Sequence, residues 1–164
     1  MEIRELGASD DRGAVSRIYE ESWKAAYKGI VPQDYLDGIK PGRWTKNLDI
    51  PGWTNMVCIE NDEFIRTSTY SKSRWDKWPD AGEIISIYLL PEYYGKGYGR
   101  PLLTATLGRL KEQGYTEVLL WVLEENSRAR RFYEKMSFEC TEDTMEGVIG
   151  GKTLREVRYV YKFV

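Results

Sequence analysis

Along this chain the spacing of apolar residues switches between a period of two and a period near 3.6, and each switch marks an element. Thr54 to Glu60 and Phe64 to Lys72 alternate apolar and polar positions like antiparallel strands joined at Asn61-Asp62-Glu63. Ile84, Ile85, Ile87, Leu89 and Leu90 form a run of β-branched and aliphatic residues, which reads as a largely buried strand ended by Pro91. Val118 to Leu123 is a second such run. After each run the spacing becomes helical. Leu103, Leu107 and Leu110, flanked by Leu102 and Thr106, mark one buried face, and Ala129, Phe132, Tyr133 and Met136 mark another. Elsewhere Glu2 to Leu6 predicts a short strand, and Asp11 to Tyr27 a helix with Val15, Ile18, Ser22 and Ala25 on one face. Pro32 to Ile39 and Arg43 to Leu48 predict short helices around Pro41-Gly42, and Trp75 to Gly82 a loop. Phe138 to Glu142 and Leu154 to Val164 predict closing strands linked through Gly147 and Gly150-Gly151. The expected architecture is a single α/β domain over residues 1–164, a mixed, twisted, mostly antiparallel sheet with helices on both faces.

The junction between the first buried run and its helix carries the most chemistry. It reads Pro91-Glu92-Tyr93-Tyr94-Gly95-Lys96-Gly97-Tyr98-Gly99-Arg100-Pro101. Glycines let the backbone turn sharply and come close to a ligand, and Pro101 suits a first helical turn, where its missing N–H costs nothing. Free amides and the positive end of the helix dipole then converge on the turn, and each charge-assisted hydrogen bond to an anion there contributes about 1.5–3 kcal/mol. Rival phosphate motifs fail on spacing. Lys96 is followed by Gly97 and Tyr98, so no hydroxyl stands where a P-loop holds magnesium, and glycines two residues apart do not make a dinucleotide fingerprint. An ordinary glycine-rich turn is the other reading of these residues alone.

Composition narrows the partners. The 164 residues are 41% hydrophobic and 30% charged with a net charge of -2, enough for one substantial core and without the electrostatic footprint of a nucleic-acid binder. Arg128, Arg130 and Arg131 form the densest basic cluster, read as a solvated helix face or as a phosphate contact. No apolar run reaches the roughly 18–20 residues that span a bilayer, so no membrane is expected. Cys58 and Cys140 are lone thiols without metal-ligand spacing, and a reducing cytoplasm fits them. Histidine is absent, which removes Ser-His or Cys-His nucleophilic systems and histidine-based zinc ligation.

Two blocks of residues resemble the GNAT N-acetyltransferases. Tyr94-Gly95-Lys96-Gly97-Tyr98-Gly99 is similar to that family's Gln/Arg-x-x-Gly-x-Gly/Ala cofactor signature, with tyrosine at the first position. Asn126, Ala129, Phe132, Tyr133, Glu134, Lys135 and Phe138 are similar to its Asn-x-x-Ala-x-x-Phe-Tyr-Glu-Lys-x-Gly-Phe signature, with Ser137 in the glycine position. The resemblance implies a splayed pair of central parallel strands that admits the pantetheine arm of acetyl-CoA. It implies that backbone groups of Ile87 and Leu89 hold that arm, with the Leu89 N–H toward the thioester carbonyl. It further implies that Tyr94, Gly95, Lys96, Gly97, Gly99 and Arg100 form the diphosphate cradle, and that Asn126 and Ala129 lie along the arm beside Tyr133. Self-association as a homodimer is compatible with it.

The implied reaction is direct attack of a primary amine on the bound thioester. A lysine-like amine is protonated at pH 7, and supplying its neutral form costs about 4.6 kcal/mol, so a base is useful. Glu83, at the start of the strand before the glycine turn, is the expected base, or else an exposed residue at a strand start. Tyr133 is the expected general acid for the leaving thiolate, or else an ordinary core tyrosine. Trp23, Tyr27, Tyr35, Trp44, Trp53, Trp75 and Trp78 are candidates for walling an acceptor pocket, two or three of them in fact doing so, with Asp76 or Asp80 beside them. The acceptor is a small-molecule or a protein amine, and no metal is required. The alternative function is a catalytically silent acyl-CoA-binding regulatory domain.

Overall fold

A computed structural model describes residues 1–164. Seven strands form one sheet in the order β1-β2-β3-β4-β5-β7-β6. They are β1 Glu2–Glu5, β2 Thr54–Glu60, β3 Glu63–Lys72, β4 Gly82–Leu89, β5 Glu117–Leu123, β6 Glu139–Ile149 and β7 Lys152–Lys162. Helix α1 spans Arg12–Ala26, α2 Gln33–Asp37, α3 Gly99–Glu112 and α4 Ser127–Lys135. Every neighbouring pair is antiparallel except β4 and β5. That parallel pair is joined only at Gly82 with Val118 and Glu83 with Leu119, so the two strands part after their first residues. This is the splay that the resemblance implied.

Helices cover both faces. Leu102, Leu103, Leu107 and Leu110 of α3 and Tyr133 of α4 pack on Ile84, Val118, Leu120, Val122 and Val157 of the sheet. On the opposite face Val15 and Tyr19 of α1 and Leu36 of α2 pack with Val57, Leu123 and Leu154. Truncating any of the fully buried α3 leucines to alanine costs about 2–5 kcal/mol by transfer and cavity terms together. A bulge at Ile85 changes which residues of β4 face which layer. Tyr70 pairs with Ile84 while Thr69 pairs with Ser86, so one β4 residue is unmatched. Before the bulge Ile84 faces α3; after it Ile87 does, and Ser86 and Tyr88 turn toward α1.

Local chemistry explains the element ends. Asp11 accepts from the Ala14 amide and caps α1, and Asn126 accepts from the Ala129 amide and caps α4. The β2–β3 hairpin turns on Asn61 (φ 50°) and Asp62 (φ 63°), residue types that tolerate the left-handed region a two-residue hairpin loop needs. Two expectations are corrected. The closing strand that begins after Phe138 does not stop at Glu142 but runs to Ile149, and Gly147 is a strand residue opposite Leu154, leaving only Gly150-Gly151 as the turn. The polar, glycine-containing stretch hid an edge strand, whose outer side needs no apolar residues. The expected helix at Arg43 to Leu48 is a 3-10 turn at Thr45–Asp49.

α4 ends in a Schellman motif: the Phe138 amide donates to the Tyr133 carbonyl and the Ser137 amide to the Glu134 carbonyl. Ser137 therefore sits at φ 70°, where a side chain is strained. Ser137→Gly should raise the unfolding free energy by about 0.5–1 kcal/mol, the relief of left-handed strain less the added entropy of an unfolded glycine. An increased urea midpoint at unchanged slope is the expected reading.

Candidate active site

Where β4 and β5 part, the sheet opens into a cleft of about 540 Å³. Its walls are Ile84 to Leu89 of β4, Leu120 to Leu123 of β5, the glycine turn before α3, and the first turns of α4. Beyond Glu83 the edge that β4 turns toward β5 has no strand partner, so alternate amides and carbonyls there are free to hold an extended ligand.

The glycine turn is built as an anion seat. Gly95 (φ 73°) and Gly97 (φ 82°) occupy the left-handed region, and an added Cβ at either would project into open space rather than protein. No side chain caps α3, so its first-turn amides are left for a ligand. These features fit a diphosphate. Of the sequence-predicted residues, Ile87, Leu89, Tyr94, Gly95, Gly97, Gly99, Arg100, Asn126, Ala129 and Tyr133 all line the cleft. Lys96 does not: its ammonium lies over the Tyr93 ring at 5.8 Å, leaving its backbone as its contribution to the turn. Arg128 and Arg131 also line the cleft, and the Arg128 guanidinium stacks on Tyr94 at 3.8 Å. Arg130 instead bonds the Tyr159 hydroxyl and the Glu124 carbonyl.

Tyr133 lies on the α3 and α4 side, packed against Phe132, Phe138 and Tyr159. Burial raises its phenol well above the ordinary tyrosine value, and the nearby Arg66 charge is the influence that opposes this. The side chain thus carries its proton at neutral pH while facing the cleft.

Glu83 is not brought to the cleft. It is 1% exposed and accepts from the Arg74 amide and Nε at 3.1 Å each, from Arg74 Nη2 at 2.8 Å and from Trp75 Nε1 at 3.1 Å. With these donors on both oxygens the carboxylate holds the 74–75 loop against the sheet; it is not the exposed residue at a strand start, and it is not among the cleft-lining residues where a directly acting base would stand.

The carboxylate that does line the cleft is Glu156 of β7, opposite Leu123 of β5. Burial raises its pKa above the ordinary glutamate value, with Arg74 opposing, and its charge reaches the phenols of Tyr27 and Tyr88. Around it stand Trp23, Tyr27 and Tyr88: Trp23 Nε1 donates to the Tyr88 hydroxyl at 3.1 Å, and the Trp23 and Tyr27 rings meet edge to face at 4.8 Å. Burial pushes the Tyr88 phenol up to about 12. Of the aromatic candidates, Trp23 and Tyr27 reach the cleft. Tyr35 and Trp44 pack behind Trp23, Trp53 lies under Arg74, and Trp75 and Trp78 cluster on Trp121. Asp76 and Asp80 are not among the lining residues. Glu156, Tyr88 and Arg66 escaped the sequence reading. The one signal for Glu156 was a lone acid among the apolar and basic residues of Leu154 to Val160.

A sheet opened between parallel strands, with an uncapped glycine turn on one side and a buried phenol beside it, is the arrangement that the resemblance to acyl-CoA N-acyltransferases implied. Residues 15–138 match the Acetyltransferase (GNAT) family, and the chain belongs to it. Acetyl transfer from acetyl-CoA to an amine is the activity that membership carries. Among its relatives, the uncharacterized N-acetyltransferase YuaI of Bacillus subtilis is 29% identical over 94% of this chain and 89% of that protein. The spermidine N(1)-acetyltransferase of Thermoplasma acidophilum is 28% identical over 88% of this chain and 91% of its own. A crystal structure of the PaiA N-acetyltransferase of Thermoplasma acidophilum with coenzyme A superposes with a TM-score of 0.76 at 22% identity, over 99% of this chain and 98% of that one. No helix is long and apolar enough to cross a membrane.

Glu83→Gln should lower stability by about 1.5 kcal/mol, a charged hydrogen-bond network discounted for the half-exposed Arg74. Turnover of the folded variant should stay within about threefold, whereas loss of a general base would cost about a hundredfold. Denaturation and initial rates on the same preparation separate the two.

Proposed function

We propose that the protein acetylates a small cationic primary amine by direct attack in a ternary complex, with Tyr133 as general acid and Glu156 as general base. The observation that carries this reading is that one cleft joins the anion seat, the buried phenol and a partly buried carboxylate ringed by aromatic faces. When bound, acetyl-CoA supplies the electrophilic thioester carbon. Gly95, Gly97, Gly99 and Arg100 hold its diphosphate, and the free edge of β4 around Ile87 and Leu89 orients its arm, with Asn126 and Ala129 alongside. Trp23, Tyr27 and Tyr88 attract an ammonium through their ring faces, and the Glu156 carboxylate draws it in and then removes its proton. Tyr133 gives its proton to the departing sulfur on the other side of the sheet. The polyamine acceptor named for the Thermoplasma acidophilum relative is of this cationic kind. A regulatory domain that only bound the nucleotide would leave the phenol and the Glu156 carboxylate without work.

An amine panel with free-thiol release as readout should show turnover with di- and polyamines ahead of neutral or acidic amines. Preference for peptide N-termini would replace the small-amine assignment with a protein one, and binding without turnover would restore the silent domain. Tyr133→Phe should lower kcat at least about tenfold with coenzyme A affinity nearly unchanged; undiminished turnover would remove Tyr133 from its role.

Glu156→Gln should lower kcat/KM by about a hundredfold and abolish the acidic limb of the pH profile, which in the native enzyme falls as Glu156 takes up its proton. Stability supplies the control. Because the folded carboxyl holds its proton more tightly than the unfolded one, the native state binds more protons between the ordinary and the raised value, and stability from this group falls as pH rises through that window. Glu156→Gln should therefore match or exceed the parent in thermal stability at neutral pH while losing activity.

A further inference from the structure

Arg66 lies in the interior of the sheet on β3, between Cys58 of β2 and Leu89 of β4, and is 6% exposed. A guanidinium in such a place ordinarily has a carboxylate. This one has none. The titratable groups that act on it are Tyr133, Cys58, Tyr94 and Arg128, two phenols, a thiol and a second cation, and its Nε is buried without an acceptor. Burial lowers its pKa to about 10, which leaves it charged at neutral pH.

The guanidinium lines the cleft at the anion seat. Its Nη1 is so close to Gly99, the first residue of α3, that a Cβ there would come within 2.6 Å of it, and the Phe132 ring backs it at 5.5 Å. The uncapped positive end of α3 and an unpaired cation are thus held side by side, each making the other harder to bury. An anion between them relieves both. Tyr94, at the head of the turn, brings no charge of its own.

We propose that Arg66 is a binding residue for the diphosphate of coenzyme A, a fixed cation kept without a protein counter-ion so that the ligand provides one. This rests on the acetyl-CoA site described above and adds to it a charge from β3, outside the glycine turn and outside both signature blocks. The guanidinium fork bonds phosphate oxygens from below while α3 amides bond them from the helix end.

The test compares the full-length protein with Arg66→Met by calorimetry against coenzyme A, dephospho-coenzyme A and acetyl-pantetheine, and by thermal unfolding without ligand. The expected result is that coenzyme A and dephospho-coenzyme A each weaken at least about tenfold, and that acetyl-pantetheine, which lacks the diphosphate, changes by less than about twofold. The ligand-free variant should unfold at the same or a higher temperature than the parent, because an unpaired buried charge is gone. Undiminished coenzyme A binding, equal weakening of all three ligands, or weakening of coenzyme A alone would each overturn the proposal; the last would assign Arg66 to the 3′-phosphate. If Arg66→Met does not fold, Arg66→Gln decides by the same pattern. Failure of the parent itself to bind coenzyme A would defeat the donor site as a whole, a result distinct from any of these.

Discussion

The structure turns on a sheet left open in the middle. β4 and β5 share hydrogen bonds at two residue pairs and then separate, so facing strand edges with unpaired amides and carbonyls stand inside a folded domain. Unmet backbone groups are costly when dry, and closing the gap by continuing the ladder would remove the cost. Both faces are held apart instead. The Ile85 bulge bends β4, α1 packs on one side through Tyr19, and the leucines of α3 pack on the other. The opening is a slot bounded by two strand edges. Such a slot selects a ligand that resembles a strand, with amides along its length, which is what the pantetheine arm offers.

Much of this was legible before any coordinates. The two buried runs, the glycine turn and the helix faces each rest on a local rule, and local rules are written in consecutive residues. The parting of β4 from β5 is not local and was available only through family resemblance. β6 past Glu142 was hidden for a different reason: an edge strand with a solvated side lacks the apolar alternation by which strands are read. Arg66 was invisible because its neighbours Ile65 and Thr67 make it look like a solvent-facing step in an alternating strand, whereas β3 is central and covered on both faces.

The two glutamates show where sequence proximity misleads. Glu83 is the second residue of β4, next to the splay, and Glu156 is far along the chain on β7, yet of the two only Glu156 lines the cleft. Phase and cover decide this. Ahead of the Ile85 bulge Glu83 lies on the side away from α3, where the loop bearing Arg74 and Trp75 closes over it and satisfies its oxygens. Glu156 shares the phase of Leu154 on the α1 face, but at the level of Leu123, where β5 has already separated from β4, so its side chain lines the cleft.

Charge along the cleft follows the same division of faces. Arg66, Arg128 and the α3 amino terminus gather positive potential on the side of α3 and α4, while Glu156 and the aromatic ring faces of Trp23, Tyr27 and Tyr88 gather negative potential on the side of α1. If the acceptor is the cationic amine proposed above, a polyanionic donor and that acceptor are each drawn to one side and repelled from the other, so the polarity would sort the two substrates. Tyr133 lies where the two fields meet, with burial raising its pKa and Arg66 pulling it down. Such a phenol keeps its proton at neutral pH. On the proposed reading, acid and base need no histidine, because burial raises the pKa of one titratable group on each face of a single gap.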